Sequence, residues 1–396
     1  MRGNDTQIGF TSGGAGVISL TGGVLEITGG GTFTRPLGAA AGNVTWGAGT
    51  TNEIGSGGFS AFGSNATVNI GNSGDTLTWN QTNFVANGFA LRFGSTQSNA
   101  TLTWVNPLNL GATSAYLPRE IHVTDNPNST ADRTILSGAI SGAADKDLLK
   151  TGDGVLELTA VNNYSGNTLI QNGLLLASAT TNSTGATSSQ VRVIVGGSGT
   201  LGGTGRIDNG VQVQSGGTIR AGNVNGVGTL TQLGAGGLTI ANGGTLGVRI
   251  TAEGTPAGSG TGGSSAGTIP DPSNHNFLDF SGTFTFGSTA NVRIDAQGAT
   301  FDPAQSYSYQ VARFPGQNLS GLNVTDQARF STVNFANAND FLFSLTGNAA
   351  GAVFLNIVPV PEPGAVLGVA AGALGLGVLL RGRRQSRRPG EAPVAV

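Results

Sequence analysis

The residues with the most potential for chemistry are five ionisable side chains near the middle of the chain: Asp145, Lys146, Asp147, Lys150 and Asp153. Pairs of carboxylates carry out glycoside hydrolysis, in which one acts as an acid and the other as a base or nucleophile. That chemistry depends on the distance between the carboxylates, whereas a solvated turn needs only this composition. We therefore interpret the cluster as a solvated turn between two strands.

Other residues with potential chemistry are isolated. His122 and His275 lie too far apart in sequence to predict a metal site or a catalytic triad. The stretch "GSGTLG" (197–202) matches a dinucleotide-binding glycine pattern, but strand-like sequence follows it where a helix is required. In "GGTGRIDNG", Ile207 stands where a calcium-binding nonapeptide repeat has Asp. The sequence predicts no catalytic, cofactor-binding or metal site, and hence no enzyme.

The elements that carry these residues are short strands. The chain of 396 residues has 68 Gly and no Cys, yet 38% of it is hydrophobic, so the glycines must separate segments that bury side chains. Segments such as "GVISLTGGVLEITGGGTFT" alternate apolar and small polar residues between Gly pairs. This all-β pattern fits a sandwich array or a solenoid of stacked coils, and we favour the solenoid.

Two further patterns bear on the solenoid. Gly-Val-Leu-Glu occurs at 23–26 and at 154–157, and we interpret it as a weak repeat in equivalent contexts. Asparagines at the corners of coils stack into ladders, which we expect of Asn162, Asn163, Asn167 and Asn172. Phe280, Phe284 and Phe286 predict a terminal β element that covers the open end of the solenoid.

The organisation along the chain follows from these patterns and from the resemblances below. The predicted segments are an N-terminal β-solenoid (1–148), a repeat (149–178), continuing β-solenoid (179–251), a Gly/Ser/Pro-rich linker or insertion (252–276), a C-terminal β region (277–357) and a sorting signal (358–388).

Residues 149–178, "LKTGDGVLELTAVNNYSGNTLIQNGLLLAS", resemble the autotransporter-associated β-strand repeat. The resemblance implies a right-handed parallel β-helix on a secreted or surface-held protein. We interpret Tyr164 as a packing residue of the repeat, the alternative being a platform on which a sugar stacks. The matching positions are Lys150, Gly152, Gly154, Leu156, Leu158, Asn162 or Asn163, Tyr164, Gly166, Thr168, Gly173 and Leu174.

The end of the chain resembles the PEP-CTERM sorting signal of Gram-negative bacteria that produce exopolysaccharide. This resemblance implies an exosortase as the membrane partner that recognises the signal and cleaves near it. The signal has three parts: the motif Val360, Pro361, Glu362 and Pro363; an apolar span that includes Ala365, Leu367, Val369, Leu374, Leu376, Val378, Leu379 and Leu380; and a basic cluster of Arg381, Arg383, Arg384, Arg387 and Arg388.

The physical chemistry of this tail leads to the same interpretation. Residues 364–380 form an uncharged run of 17 residues, which is at the short end of what a membrane-spanning helix needs. The arginines that follow would hold the C-terminus in the cytoplasm, so the body would lie across the membrane. An ordinary single-pass anchor is the alternative. The segment "MRGNDTQIGFTSGGAG" shows no signal-peptide pattern, and we expect the true start of the chain to lie upstream.

Charge and composition restrict the partners. Without the five arginines and two glutamates of the tail, the body has 14 basic and 19 acidic residues, a balance that does not favour nucleic acid. We expect a non-enzymatic structural protein at the cell surface or in the extracellular or biofilm matrix, in contact with exopolysaccharide. The alternatives are a surface adhesin of the autotransporter-passenger type and a carbohydrate-active β-helix enzyme.

Overall fold

A computed structural model of the chain describes residues 2–3, 16–47, 55–111, 117–143, 146–185, 192–234, 236–251 and 274–361. These residues form an all-β structure in which each coil contributes strands to long parallel sheets, so the prediction of a solenoid-like all-β fold is confirmed. The helical segments within the described residues are three short 3₁₀ turns: Ile70–Asn72, Gln327–Arg329 and Ala338–Asp340.

The first sheet has eleven strands, all paired in parallel with the same side of neighbouring coils. Its strands are Arg2–Gly3, Val24–Thr28, Gly57–Phe62, Ala90–Phe93, Arg119–Val123, Leu148–Thr151, Thr168–Ile170, Arg192–Val195, Gly210–Val213, Leu238–Ile240 and Phe284–Phe286.

The second sheet also has eleven parallel strands, one per coil. Its strands are Gly31–Phe33, Ala66–Val68, Leu102–Trp104, Arg133–Leu136, Val155–Leu158, Leu174–Ala177, Thr200–Gly202, Thr218–Ile219, Thr245–Arg249, Asn291–Asp295 and Phe330–Val333.

The third side of the coils is interrupted and holds three smaller sheets of two, three and seven strands. Its strands are Ile18–Ser19 and Val44–Thr45; Leu77–Thr78, Leu108–Asn109 and Ile140–Ser141; and, in the last sheet, Arg206–Ile207, Thr229–Gln232, Phe277–Phe280, Tyr307–Arg313, Ala352–Pro359, Phe341–Gly347 and Asn323–Val324.

The interior changes in character along the stack because the coils change in length. Gly58 pairs with Arg92 on the next coil near the N-terminus, whereas Val193 pairs with Val211 further along, so the N-terminal coils contain more residues. A longer coil encloses more space, and aromatic rings fill it. The Trp104 ring, for example, lies 5.6–6.5 Å from the rings of Phe93, Trp46, Phe59 and Phe84. The shorter coils bury aliphatic side chains in the same position.

The parallel stack extends beyond residue 251, where the sequence predicts its end. Phe277–Phe280 and Asn291–Asp295 pair in parallel with the preceding coil. Four further strands then continue the third side as an antiparallel sheet. This sheet packs on the last coil through Phe330 and Phe343, whose ring centroids are 6.0 Å apart, so it covers the end of the stack at this point.

The Gly-Val-Leu-Glu repeat does not mark equivalent positions, and that prediction is wrong. The first copy begins the strand Val24–Thr28 of the first sheet, and the second begins the strand Val155–Leu158 of the second sheet. Alternating apolar residues beside a glycine specify a strand with one buried face, and both sheets have such strands. The pattern therefore identifies a strand without identifying its side of the coil.

Candidate functional site

Lys150, the first residue of the repeat signature, lies in the interior of the solenoid. It is fully buried in the first sheet, where it pairs with Ile121 on one neighbouring coil and with Ile170 on the other. The same inward row continues through Val195 and Val213. A lysine thus replaces an aliphatic residue in an otherwise apolar column, which is costly unless its ammonium group is fully hydrogen-bonded.

Three carbonyl oxygens surround the Lys150 ammonium. Nζ donates to Thr151 O at 3.0 Å, to Gly152 O at 2.6 Å and to Asn172 O at 3.0 Å. An ammonium group has three N–H donors, so this cage matches its donors one for one. Burial lowers the pKa of Lys150 to about 7, while the charges of Asp153 and Asp125 act to raise it. Because Asn172 belongs to the next coil, Lys150 joins the corners of two consecutive coils.

The glycines of the signature allow these corners to approach each other. Gly152 and Gly173 have φ of 71° and 65°, a conformation that favours glycine. A Cβ atom on Gly166 would lie 2.1 Å from Lys146 O, and one on Gly154 would lie 2.8 Å from the Val123 side chain. Each signature glycine is therefore required by the backbone rather than by a ligand.

The remaining signature residues mostly pack. Leu156 and Leu158 are fully buried in the second sheet, whereas Leu174 is half-buried on its outer side. Tyr164 is completely buried, and its hydroxyl is hydrogen-bonded to Thr168 Oγ1, which in turn donates to Thr184 O at 3.0 Å. Burial raises the pKa of Tyr164. Its ring is therefore inaccessible to a sugar, in agreement with the expected packing role.

Asn162, rather than its neighbour Asn163, performs the structural role in the signature. The Asn162 side chain accepts from Ile140 N at 2.7 Å and donates to Ser183 O at 2.7 Å, so it bridges three successive coils from the strand Ile140–Ser141 onwards. Asn163 is exposed. Buried Asn106 joins two coils in a similar way, since it accepts from Ile70 N and donates to Ile70 O. The other expected corner residues, Asn167 and Asn172, make contacts with the adjacent coils: Asn167 N donates to Asp147 Oδ1 at 2.7 Å, and Asn172 Nδ2 donates to Ser198 Oγ at 3.0 Å.

The interpretation of the Asp/Lys cluster as a solvated turn is wrong for three of its five residues. Lys146, Asp147 and Lys150 are all buried, because the coil corners fold over them. The Asp147 carboxylate accepts from the backbone N of Asn167, so it fixes the next coil. Asp153 is exposed, as expected of a turn, and Asp145 lies outside the described residues.

A polar cluster that the sequence analysis missed lies on the outer face of the first sheet. Thr151 Oγ1 donates to Glu120 Oε1 at 2.6 Å and lies 3.0 Å from His122 Nδ1, while His122 Nδ1 is 3.8 Å from Glu120 Oε1. Hydrogen bonding to His122 is the main factor that lowers the pKa of Glu120. The cluster joins two neighbouring strands, and only the Thr151–His122 register pairing reveals it. His275 is elsewhere, with Nε2 3.0 Å from Gln310 O.

The two glycine-rich stretches that resemble binding motifs, at 197–202 and around Ile207, form turns and strands in the solenoid. Gly197 has φ of 57° in a turn, and the strand Thr200–Gly202 follows it where a dinucleotide site would have a helix. Ile207 is fully buried, so its side chain belongs to the core. Among the residues that the structure describes, no group of three or more His, Asp or Glu side chains could hold a metal ion.

The outer face of the second sheet carries threonines in register. Thr32, Thr67 and Thr103 occupy one row on three consecutive N-terminal coils. Towards the C-terminus, a second row begins at half-buried Leu174 and continues through three threonines on successive coils: Thr200, Thr218 and Thr245. Adjacent strands are roughly 4.8 Å apart, so each row presents hydroxyl groups at a regular spacing along the stack.

The beginning of the predicted sorting signal can be located. Val360 N donates to Asp340 O at 2.8 Å, and both Val360 and Pro361 are exposed at the end of the C-terminal sheet. The part of the motif from Glu362 onwards, the apolar span and the arginine cluster lie outside the described residues. Within the described ranges, no helix has the length and apolar character needed to cross a membrane.

Comparison with known proteins adds no relative, since no family model and no curated protein matches the chain.

Proposed function

We propose that the chain is a non-enzymatic structural protein of the cell surface or extracellular matrix. In this proposal the polar outer face of a right-handed solenoid binds exopolysaccharide, and an exosortase-type membrane enzyme sorts the protein through its C-terminal tail. The observation that carries the proposal is the set of in-register threonine rows on the second sheet. A linear polysaccharide also has a regular repeat, so many weak hydrogen bonds can form along one chain.

The packing of the repeat signature supports a structural role. Lys150, Asp147 and Asn162 use their polar atoms to join coils, and Tyr164 is buried. Of the aspartates that suggested glycoside hydrolysis, Asp147 is thus engaged in joining two coils. The sorting part of the proposal depends on the tail sequence, in which Pro-Glu-Pro, an uncharged span and an arginine cluster follow one another. Before processing, the span would anchor the protein in the membrane.

Retention on exopolysaccharide tests the binding part. The full chain, in mild detergent, is mixed with exopolysaccharide purified from its native host and sedimented, and new reducing ends are measured in parallel. We expect the protein to sediment with the polysaccharide and no reducing ends to appear. Polysaccharide depolymerisation would refute the structural role, and a protein that remains in the supernatant would refute the association with polysaccharide.

A further inference from the structure

A cleft with a volume of about 170 Å³ lies on the outer face of the second sheet, over its C-terminal coils. Thr200, Thr218, Arg220, Arg293 and Asp295 are among the residues that line it. It is therefore continuous with the C-terminal threonine row, and it adds charge to a face that is otherwise uncharged there.

Arg249 forms part of the wall of the cleft and pairs with the carboxylate of Asp295, which also lines it. Arg249 is buried, its Nε donates to Asp295 Oδ2 at 3.2 Å, and its Nη1 donates to Val224 O at 2.8 Å. The Asp295 carboxylate also accepts from Gln297 and Asn334. These contacts occupy the Asp295 carboxylate, which makes no ion pair with Arg220 or Arg293, although its charge acts to raise the pKa of Arg220.

Two other arginines carry positive charge that no carboxylate in the described part of the chain pairs with. Arg220 is half-buried and uses Nη1 to donate to Asn223 O at 3.0 Å, which occupies one of the five donors of a guanidinium. Arg293 is exposed and makes no hydrogen bond or ion pair within the described residues. Burial lowers the pKa of Arg220 to about 10, and the nearby charge of Arg249 contributes to this effect. A bound anion would offset both the burial of the Arg220 charge and its repulsion by Arg249.

One glycine, Gly247, keeps the cleft open. In the register set by Ile219 and Leu246, Arg220 lies beside Gly247, and Gly247 pairs with Arg293 on the following coil. A Cβ atom on Gly247 would lie 3.0 Å from Arg220 Cβ, so a larger residue would crowd the arginine. Two arginines are thus separated by a glycine along one outward row.

The spacing of the two arginines matches an alternating polymer. They are two strands apart, which corresponds to roughly 9.5 Å along the stack. A disaccharide repeat in an extended β-linked polysaccharide has a similar length, and arginine pairs with carboxylates through two parallel hydrogen bonds. Thr218 lies two residues before Arg220, and Thr200 pairs with Thr218 on the preceding coil, so both can bond sugar hydroxyl groups.

We propose that this cleft binds an acidic polysaccharide that carries a carboxylate on every second sugar, with the polymer chain parallel to the axis of the solenoid. Arg220 and Arg293 each take one carboxylate, and Thr200 and Thr218 contact the sugars. This inference rests on the proposed function and adds the class of polysaccharide and the position of its binding site. The body as a whole has more acidic than basic residues, so its net charge does not attract polyanions and binding depends on the local positive charge of this cleft.

The test uses the full chain in mild detergent with two probes of equal length. A hyaluronan octasaccharide carries a carboxylate on alternate sugars, and a cellulose-derived octasaccharide is neutral. We expect the wild type to bind hyaluronan at least tenfold more tightly than the neutral probe. Arg293→Gln should weaken hyaluronan binding at least fivefold, and Arg220→Gln combined with it at least thirtyfold, because charge-assisted hydrogen bonds are lost.

Arg133→Gln is the matched control. Arg133 lies on the same sheet and is partly exposed, but Glu157 neutralises it at 3.2 Å, so we expect hyaluronan binding to change less than twofold. Arg293→Gln removes an exposed side chain and should leave thermal unfolding unchanged, which separates loss of binding from loss of folding. Equal binding of both probes, or equal effects of Arg293→Gln and Arg133→Gln, would overturn the inference. Retention of host exopolysaccharide by the double variant at the wild-type level would also overturn it, while the proposed function would stand.

Discussion

Lys150 should make the stability of the protein depend on pH in a predictable direction. Its pKa falls from 10.5 to about 7 on folding, so between these values the unfolded chain binds a proton that the folded chain does not. Unfolding in this window takes up a proton, and raising the pH therefore favours the folded state. A full pH unit within this window contributes ~1.4 kcal/mol, and because the folded lysine is still half protonated at pH 7, the gain between pH 7 and pH 9 is about 2 kcal/mol.

The assay is urea unfolding of the full chain at pH 7 and pH 9, at constant ionic strength, for the wild type and for Lys150→Met. The methionine keeps the length of the side chain but does not titrate, and it leaves three carbonyl oxygens without their donor. We expect the difference in unfolding free energy between the two proteins to grow by about 2 kcal/mol from pH 7 to pH 9.

Lys146→Met is the control for this experiment, because Lys146 is also buried but its replacement leaves Lys150 and its cage in place. This variant should keep the wild-type increase in stability with pH. If Lys150→Met also kept that increase, the ammonium of Lys150 would be fully charged at pH 9. The account of a buried lysine whose charged form is disfavoured by the surrounding apolar column would then be refuted.

Three further substitutions test the other parts of the repeat. Asn162→Ala should lower the unfolding free energy by about 3 kcal/mol in urea titrations, because Ile140 N and Ser183 O lose buried partners. The control, Asn163→Ala, should change the unfolding free energy by less than ~0.5 kcal/mol. Equal effects of the two substitutions would contradict the bridging role of Asn162. Gly166→Ala should lower the unfolding free energy by at least ~3 kcal/mol, because the added Cβ would collide with Lys146 O. Gly22→Ala should lower it little, because a Cβ at Gly22 would have open space around it. A Gly166→Ala variant as stable as the wild type would show that the corners do not approach closely. Tyr164→Phe should cost about 1 kcal/mol in thermal or urea unfolding, since Thr168 keeps its bond to Thr184 O, and a loss as large as that of Asn162→Ala would be inconsistent with this.

The fold class was predictable because strand alternation and glycine turns are local properties. Runs such as Val24–Thr28 and Val155–Leu158 are recognisable as strands from their own residues. Their assignment to the first or the second sheet depends on how many residues each coil contains, which is a property of the whole stack. For the same reason the sequence placed the end of the parallel stack too early, at residue 251, before the strands that pair beyond the insertion.

The candidate sites were less predictable, because pairing between coils determines them. Lys150 looked like a surface residue beside aspartates, yet its register with Ile121 and Ile170 places it in the core. Arg220 and Arg293 are far apart in sequence, and the register of the strands places them on one row, with Gly247 between them on the intervening coil. The sequence shows which residues are charged, but only the register of the strands determines which of them lie together.

The intact mass of the protein from the envelope and culture medium of its native host would show whether the tail is removed after export. We expect a C-terminus near Pro361 to Gly364, without the arginine cluster of residues 381–388, because in our proposal a processing enzyme removes the tail. A mass that retains the whole tail in every fraction would contradict sorting and would make the protein a plain membrane-anchored solenoid.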